Sequence, residues 1–180
     1  MSLANKISVI RILLVPWFVA SLVYYHPARD WLRFLSAGLF FIGVLSDAVD
    51  GLIARSKQQQ TQLGTILDPI ADKLLILSAI ISLSTIRALP EGLRIPAWFN
   101  LTVISRDAIV VVGSMLVFWL TGKITVKPSR LGKGAIAAQM VVVLVVLLKL
   151  PFKIPLLILA AALTVLSGAG YVRTGIRLLG

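Results

Sequence analysis

The chain has 180 residues, 58% of them hydrophobic, with 18 Lys and Arg against 7 Asp and Glu. A helical membrane crossing takes ~20 mostly apolar residues, so this length holds five or six crossings with short links and leaves nothing for a separate water-soluble domain; a cytosolic enzyme and a DNA-binding domain are excluded. The formal charge of +11 then belongs at membrane surfaces or in a polar cavity, facing anionic headgroups or phosphorylated molecules, and with no cysteine and a single histidine, His26, thiolate catalysis and His- or Cys-rich metal sites are excluded too.

In chain order, apolar runs broken by charge, proline and glycine predict six transmembrane helices in one all-α integral membrane domain over 1–180, at 9–25, 31–54, 63–86, 95–120, 132–150 and 153–175. Ahead of the first span, residues 2–11 read as an amphipathic helix lying at the interface, with Leu3, Ile7 and Ile10 on one face and Asn5, Ser8 and Arg11 in a stripe on another. Bulky Tyr24 and Tyr25 follow the first apolar run without a small-residue cleavage site, so that run reads as a retained span and not as a signal peptide. An N-in, C-in orientation assigns Lys6, Arg11, Arg55, Lys57 and the cations around Lys127 and Arg177 to the cytoplasmic side, and Arg29, Arg33, Arg87, Arg94, Lys149 and Lys153 to the other; the bias follows the positive-inside rule.

Four of the acidic residues, Asp47, Asp50, Asp68 and Asp72, close the second span and open the third. Spacings of i, i+3 and i, i+4 put each pair on one helix face, and the short link between the spans folds them antiparallel so that the pairs can meet. Ionised carboxylates at membrane depth are costly and repel one another, so a compensating charge is required. Lys73 and Arg55 are too few, whereas two divalent cations match four carboxylates. Oxygen donors without His or Cys select Mg²⁺ or Mn²⁺. Such a pair suits displacement at phosphorus, with a neighbouring carboxylate taking a proton from the attacking hydroxyl. Helix capping, intramembrane ion pairing, or the path of a divalent cation channel or transporter are the competing readings of the same acids. Gly51 and Gly64 beside the acids either tighten helix packing or leave room for a flat base.

Read as one string, Asp47-Ala-Val-Asp50-Gly51-Leu-Ile-Ala54-Arg55, eight residues, then Gly64-Thr-Ile-Leu-Asp68-Pro-Ile-Ala-Asp72, the segment resembles the signature of the CDP-alcohol phosphatidyltransferases with every fixed position present. The Asn5-x-x-Ser8-x-x-Arg11 pattern followed by Pro16, and Leu67-Asp68-Pro69-x-Ala71-Asp72-Lys73, are similar to the phosphatidylglycerophosphate and cardiolipin synthase branch. The resemblance implies that Asp47, Asp50, Asp68 and Asp72 hold two Mg²⁺ or Mn²⁺ ions and that Asp72 is also the base. It implies that Gly51, Ala54 and Gly64 line a cytidine pocket, that Arg55 supports the hairpin or the diphosphate, and that Asn5 belongs to the same CDP-lipid site. It further implies transfer of phosphatidyl from CDP-diacylglycerol with release of CMP, by a homodimer in a prokaryotic cytoplasmic membrane with its active site facing the cytoplasm.

The acceptor is carried by later residues. Arg106, inside the fourth span, is either tied to Asp107 or faces an acceptor phosphate, and Arg130 and Lys133 belong either to a topogenic loop or to a phosphate-binding lip. Members that use glycerol phosphate commonly show Ala-Arg-Glu where this chain has Ser105-Arg106-Asp107, and a second basic residue and a threonine where it has Gly134-Ala135-Ile136; Ser105-Arg106-Asp107 and Lys127-Pro128-Ser129 resemble the cardiolipin synthase side. The expected acceptor is glycerol 3-phosphate, with phosphatidylglycerol as the alternative.

Overall fold

A computed structural model describes the backbone of residues 3–57, 62–121 and 129–179, and the side chains of 8–46, 70–120 and 129–177. The described residues form α helices and two 3-10 turns, without strands: α1 (Leu3–Val23), α2 (Trp31–Lys57), α3 (Gln62–Thr85), α4 (Ala97–Thr121), α5 (Arg130–Leu147) and α6 (Lys153–Leu179), with turns at Pro27–Arg29 and Glu91–Leu93. Three segments, Glu91–Leu120, Arg130–Leu147 and Lys153–Arg177, are long and apolar enough to cross a membrane, and Ser8–Val23 and Trp31–Ser46 are shorter apolar helical stretches. The predicted interfacial stretch is not a separate element. Residues 3–11 continue without a break into the rest of α1.

The chain divides into two compact units, the first of residues 1–95 with 143–150, the second of 96–142 with 151–180. In the first unit α1 packs on both α2 and α3. Phe18 and Phe40 are fully buried with ring centroids 5.8 Å apart, alongside buried Leu22, Leu75, Ile80 and Leu83. Close packing and buried hydrogen bonds join these helices. The Ser21 and Ser36 hydroxyls meet at 2.7 Å between α1 and α2, and Gly43 lets α2 approach α3 so closely that a Cβ there would lie 2.5 Å from Leu75 Cδ2.

At the far end of this unit a polar cluster fastens the α1–α2 link to the end of α5. Arg33 is buried and donates to both Asp30 oxygens at 3.0 and 2.6 Å, and its Nη1 donates to the Leu147 carbonyl at 2.9 Å. That carbonyl is one of the last four of α5, which have no partner within the helix. Lys149 adopts φ 54°, a position usually given to glycine, and the Lys149 and Leu150 N–H groups donate to the Val146 and Val145 carbonyls, the pattern of a Schellman cap before Pro151. Its ammonium stands 3.5 Å from Asp30. The Arg33 guanidinium beside Asp30 holds its carboxyl well below the usual carboxylate range, while burial, then the bond to Asp30, pushes the Tyr25 phenol up.

In the second unit α4 packs on α6. Gln139 of α5 donates to Thr164 of α6 at 2.9 Å, a buried bond whose acceptor hydroxyl in turn donates to Ala160 O.

Candidate active site

All four signature aspartates fall in continuous helix, Asp47 and Asp50 in the last three turns of α2, Asp68 and Asp72 in the first three turns of α3. Helical spacing therefore holds within each pair, and the helices run further toward one another than the sequence predicted. Of the four, Asp72 is the one whose side chain is described; the side chains of Asp47, Asp50 and Asp68, like those of Asn5, Gly51, Ala54, Arg55 and Gly64, lie outside the described residues. Among the described residues no three His, Cys, Asp or Glu groups gather as a metal set.

Asp72 has a partner that the sequence did not suggest. Arg11 of α1, 1% exposed, donates from Nη1 to Asp72 Oδ1, and Asp72 retains 26% exposure. Ser8, one turn before Arg11, is fully buried. Ser8 and Arg11, the described part of the polar stripe of α1, thus turn toward the protein, with the cation against the acid of α3. Arg11 and Arg33, which the sequence assigns to opposite membrane sides, are both buried and ion-paired. The signal available in the sequence was the three-residue spacing from Asn5 to Ser8 to Arg11, one polar face through an otherwise apolar helix.

The second unit builds a separate cationic centre. Arg106 of α4 is 7% exposed; its Nη1 donates to Asp107 at 2.7 Å and its Nη2 to Ser167 Oγ of α6 at 2.9 Å. The guanidinium carbon lies 5.5 Å from the Tyr171 ring centroid, and Nε is buried without a hydrogen-bond partner. Two glycines, one on α5 and one on α6, make room: a Cβ at Gly132 would come within 3.0 Å of Arg106 Nη2, and one at Gly168 within 3.4 Å of Arg106 Cγ. Ser129 caps α5, its Oγ accepting from the Gly132 N–H at 3.0 Å, while its own N–H donates to the Tyr171 hydroxyl at 3.4 Å. The structure therefore brings Arg106 against the first turn of α5, the segment carrying Arg130 and Lys133, whose side chains are exposed. The tie to Asp107 coexists with a free donor at Nε.

The profile of the CDP-alcohol phosphatidyltransferases matches residues 1–166. A Mycobacterium tuberculosis protein named for phosphatidylglycerophosphate synthase activity is 32% identical over 186 residues, covering 99% of this chain and 84% of the relative. A CDP-diacylglycerol–glycerol-3-phosphate 3-phosphatidyltransferase of Bacillus subtilis is 36% identical over 166 residues, covering 85% and 80%. A Mycobacterium bovis protein named for cardiolipin synthase activity is 36% identical over 143 residues, covering 78% and 62%. With the signature unbroken on α2 and α3 and the profile covering nearly its whole length, this chain belongs to the CDP-alcohol phosphatidyltransferase family.

Proposed function

We propose that the chain is a phosphatidylglycerophosphate synthase, transferring phosphatidyl from CDP-diacylglycerol to glycerol 3-phosphate and releasing CMP. One observation carries this reading: relatives named for that reaction align over four-fifths or more of their own length, across a chain whose eight signature positions are all present.

Four carboxylates at helical spacing on two consecutive helices suit a pair of hard divalent cations, so Asp47, Asp50, Asp68 and Asp72 are the residues assigned to hold Mg²⁺ or Mn²⁺. Bound there, the ions would supply charge neutralisation for the diphosphate. Asp72 takes the proton from the acceptor hydroxyl, and its ion pair with Arg11 fixes the orientation of the carboxylate. The acceptor oxygen forms a bond to the β-phosphorus, the bond from that phosphorus to the oxygen bridging to CMP breaks, and CMP departs with the electron pair. Asn5, Gly51, Ala54, Arg55 and Gly64 are assigned to the CDP-lipid, and Arg106, Arg130 and Lys133 to the acceptor phosphate. The unspent Nε–H of Arg106 and the positive end of the α5 dipole favour an anion at that centre.

We also propose six crossings of a prokaryotic cytoplasmic membrane, the catalytic hairpin opening to the cytoplasm, and a homodimeric assembly. A second reading is favoured by one comparison: identity to the cardiolipin synthase relative equals that to the Bacillus enzyme, so phosphatidylglycerol is the alternative acceptor. Purified protein incubated with CDP-diacylglycerol, Mg²⁺ and each acceptor separately, with lipid products read by mass spectrometry, tests both. Phosphatidylglycerophosphate is the expected product; cardiolipin formed in its place transfers the assignment to the alternative, and no CMP release from either acceptor removes both.

A further inference from the structure

A groove of about 700 Å³ runs along the α4–α6 contact, wholly within the second unit. Its walls are apolar and face outward, with Leu101, Ile109, Val165 and Ile176 each exposed by 47% or more. The two charged residues in its lining are Arg106 and Arg173, and no acid lines it. Arg173 is exposed and has no ion-pair or hydrogen-bond partner among the described residues. A smaller apolar groove, about 190 Å³, shares Ile109, Val172 and Ile176 with it and extends it along α4 past Gly113.

The dimensions fit one kind of occupant. From Arg173 back to Val165 the helical rise gives a length of ~12 Å, most of one leaflet's half of a ~30 Å hydrocarbon core and within the reach of one acyl chain. Gly168 and Ala169 open the floor, since neither carries a side chain longer than a methyl group. An exposed cation on the rim of an apolar, outward-facing slot, without a partner among the described residues, calls for an anionic group with an aliphatic tail.

We propose that the α4–α6 groove seats an anionic phospholipid of the surrounding bilayer, its phosphate at Arg173 and one acyl chain along Ala169 and Val165. The site involves none of the signature aspartates, and of the residues assigned to the acceptor phosphate only Arg106 borders it, its guanidinium engaged by Asp107 and Ser167. It would tie the protein to negatively charged membrane regions and hold α4 against α6.

The experiment places the full-length protein in vesicles containing a diazirine-acyl phosphatidylglycerol or its phosphatidylcholine counterpart with the same chains, and maps the photolabelled residues. Labelling concentrated on 165–176 by the anionic probe is expected, in wild type and in Asp72→Asn alike, so that loss of catalysis and loss of the lipid seat are read separately. Ala169→Trp fills the groove and should abolish that labelling; Arg173→Gln should lower the preference for the anionic probe about fivefold, the effect of one surface cation. Equal labelling by both lipids, or labelling indifferent to Ala169→Trp, means bulk bilayer contact only and overturns the proposal. So does a rapid disulfide between two Ala169→Cys chains that excludes the probe, which would give the groove to a second copy.

Discussion

Arg11 and Asp72, 61 positions apart in the chain, form an ion pair between α1 and α3 with the guanidinium almost entirely buried. A buried arginine needs its carboxylate, and the base role proposed for Asp72 needs a fixed orientation, so the one contact that packs α1 on α3 would also serve that role. Removing one member of a buried pair costs ~3–5 kcal/mol, and the 26% exposure of Asp72 puts this pair toward the lower end. Arg11→Ala is expected to lower the thermal transition in detergent and to reduce turnover. Arg11→Lys keeps the charge but not the planar fork, and should recover stability more than kcat. Wild-type stability and activity in Arg11→Ala would remove this pair from the account of the site.

Metal dependence separates the signature acids from the neighbouring one. Asp68→Asn preserves shape while removing a charge, so it should weaken Mg²⁺ or Mn²⁺ activation; Asp72→Asn removes the base as well and should lower kcat about a hundredfold or more. Asp107→Asn should leave metal activation unchanged, because its carboxylate is engaged by Arg106 at 2.7 Å. Chelation with EDTA followed by metal titration reads all three. Undiminished Mg²⁺-dependent turnover in both signature variants would defeat the two-metal assignment.

The Asp30 cluster gives a pH signature of the fold that is independent of catalysis. The hydrogen bonds from Arg33 hold the Asp30 carboxyl below its ordinary range, so its folded pKa is lower than the ~3.9 of an unfolded chain. The stabilisation is therefore complete above about pH 4 and is lost as pH falls toward the folded value. Thermal scans of wild type and Asp30→Asn should differ by a constant amount from pH 8 to pH 5 and converge below about pH 4. A gap that instead closed between pH 6 and 8 would assign the effect to another group.

Topology is tested by single cysteines at Gln59, between α2 and α3, and at Glu91, in the turn before α4. They should label from opposite faces of a sealed vesicle, with Gln59 on the cytoplasmic face. Labelling of Gln59 from outside would reverse the proposed orientation.

The helices were legible in the sequence because apolar runs end where lipid ends, and Asp30, Pro90 and Pro151 mark those ends directly. The aspartate positions were legible because i, i+3 and i, i+4 spacing survives in any α helix. What the sequence concealed are contacts made by long cationic side chains across elements. Arg11 stands beside an apolar run in the manner of a flanking charge, and nothing local says that its partner is Asp72. Arg33 likewise reads as a surface cation, yet it reaches Leu147 O, 114 residues away. The two-element centre at Arg106 was half visible: the pair with Asp107 is adjacent in sequence, whereas Ser167, Tyr171 and Gly132 join it only through the packing of α4 and α6 and the capping of α5 by Ser129.

The acceptor assignment proposed for that centre can be tested there. Glycerol 3-phosphate presents a small dianion with little else to bind, whereas phosphatidylglycerol is also held through its acyl chains, so the small acceptor should depend more steeply on each cation. Lys133 is the sharper probe because its side chain is exposed, and Lys133→Ala should leave the fold intact. Loss of one charge-assisted contact costs ~1.5–3 kcal/mol, so kcat/KM for glycerol 3-phosphate should fall by about ten- to a hundredfold, chiefly through KM. Arg106→Ala should lower it at least as far, with an added loss of stability from the bonds to Asp107 and Ser167; Arg106→Lys separates the two by keeping charge without the fork. The KM for CDP-diacylglycerol should stay within about twofold in Lys133→Ala, since uniform binding of the other substrate is untouched. An unchanged KM for glycerol 3-phosphate in Lys133→Ala, together with a raised one for the CDP-lipid, would move this lysine from the acceptor to the donor side of the site.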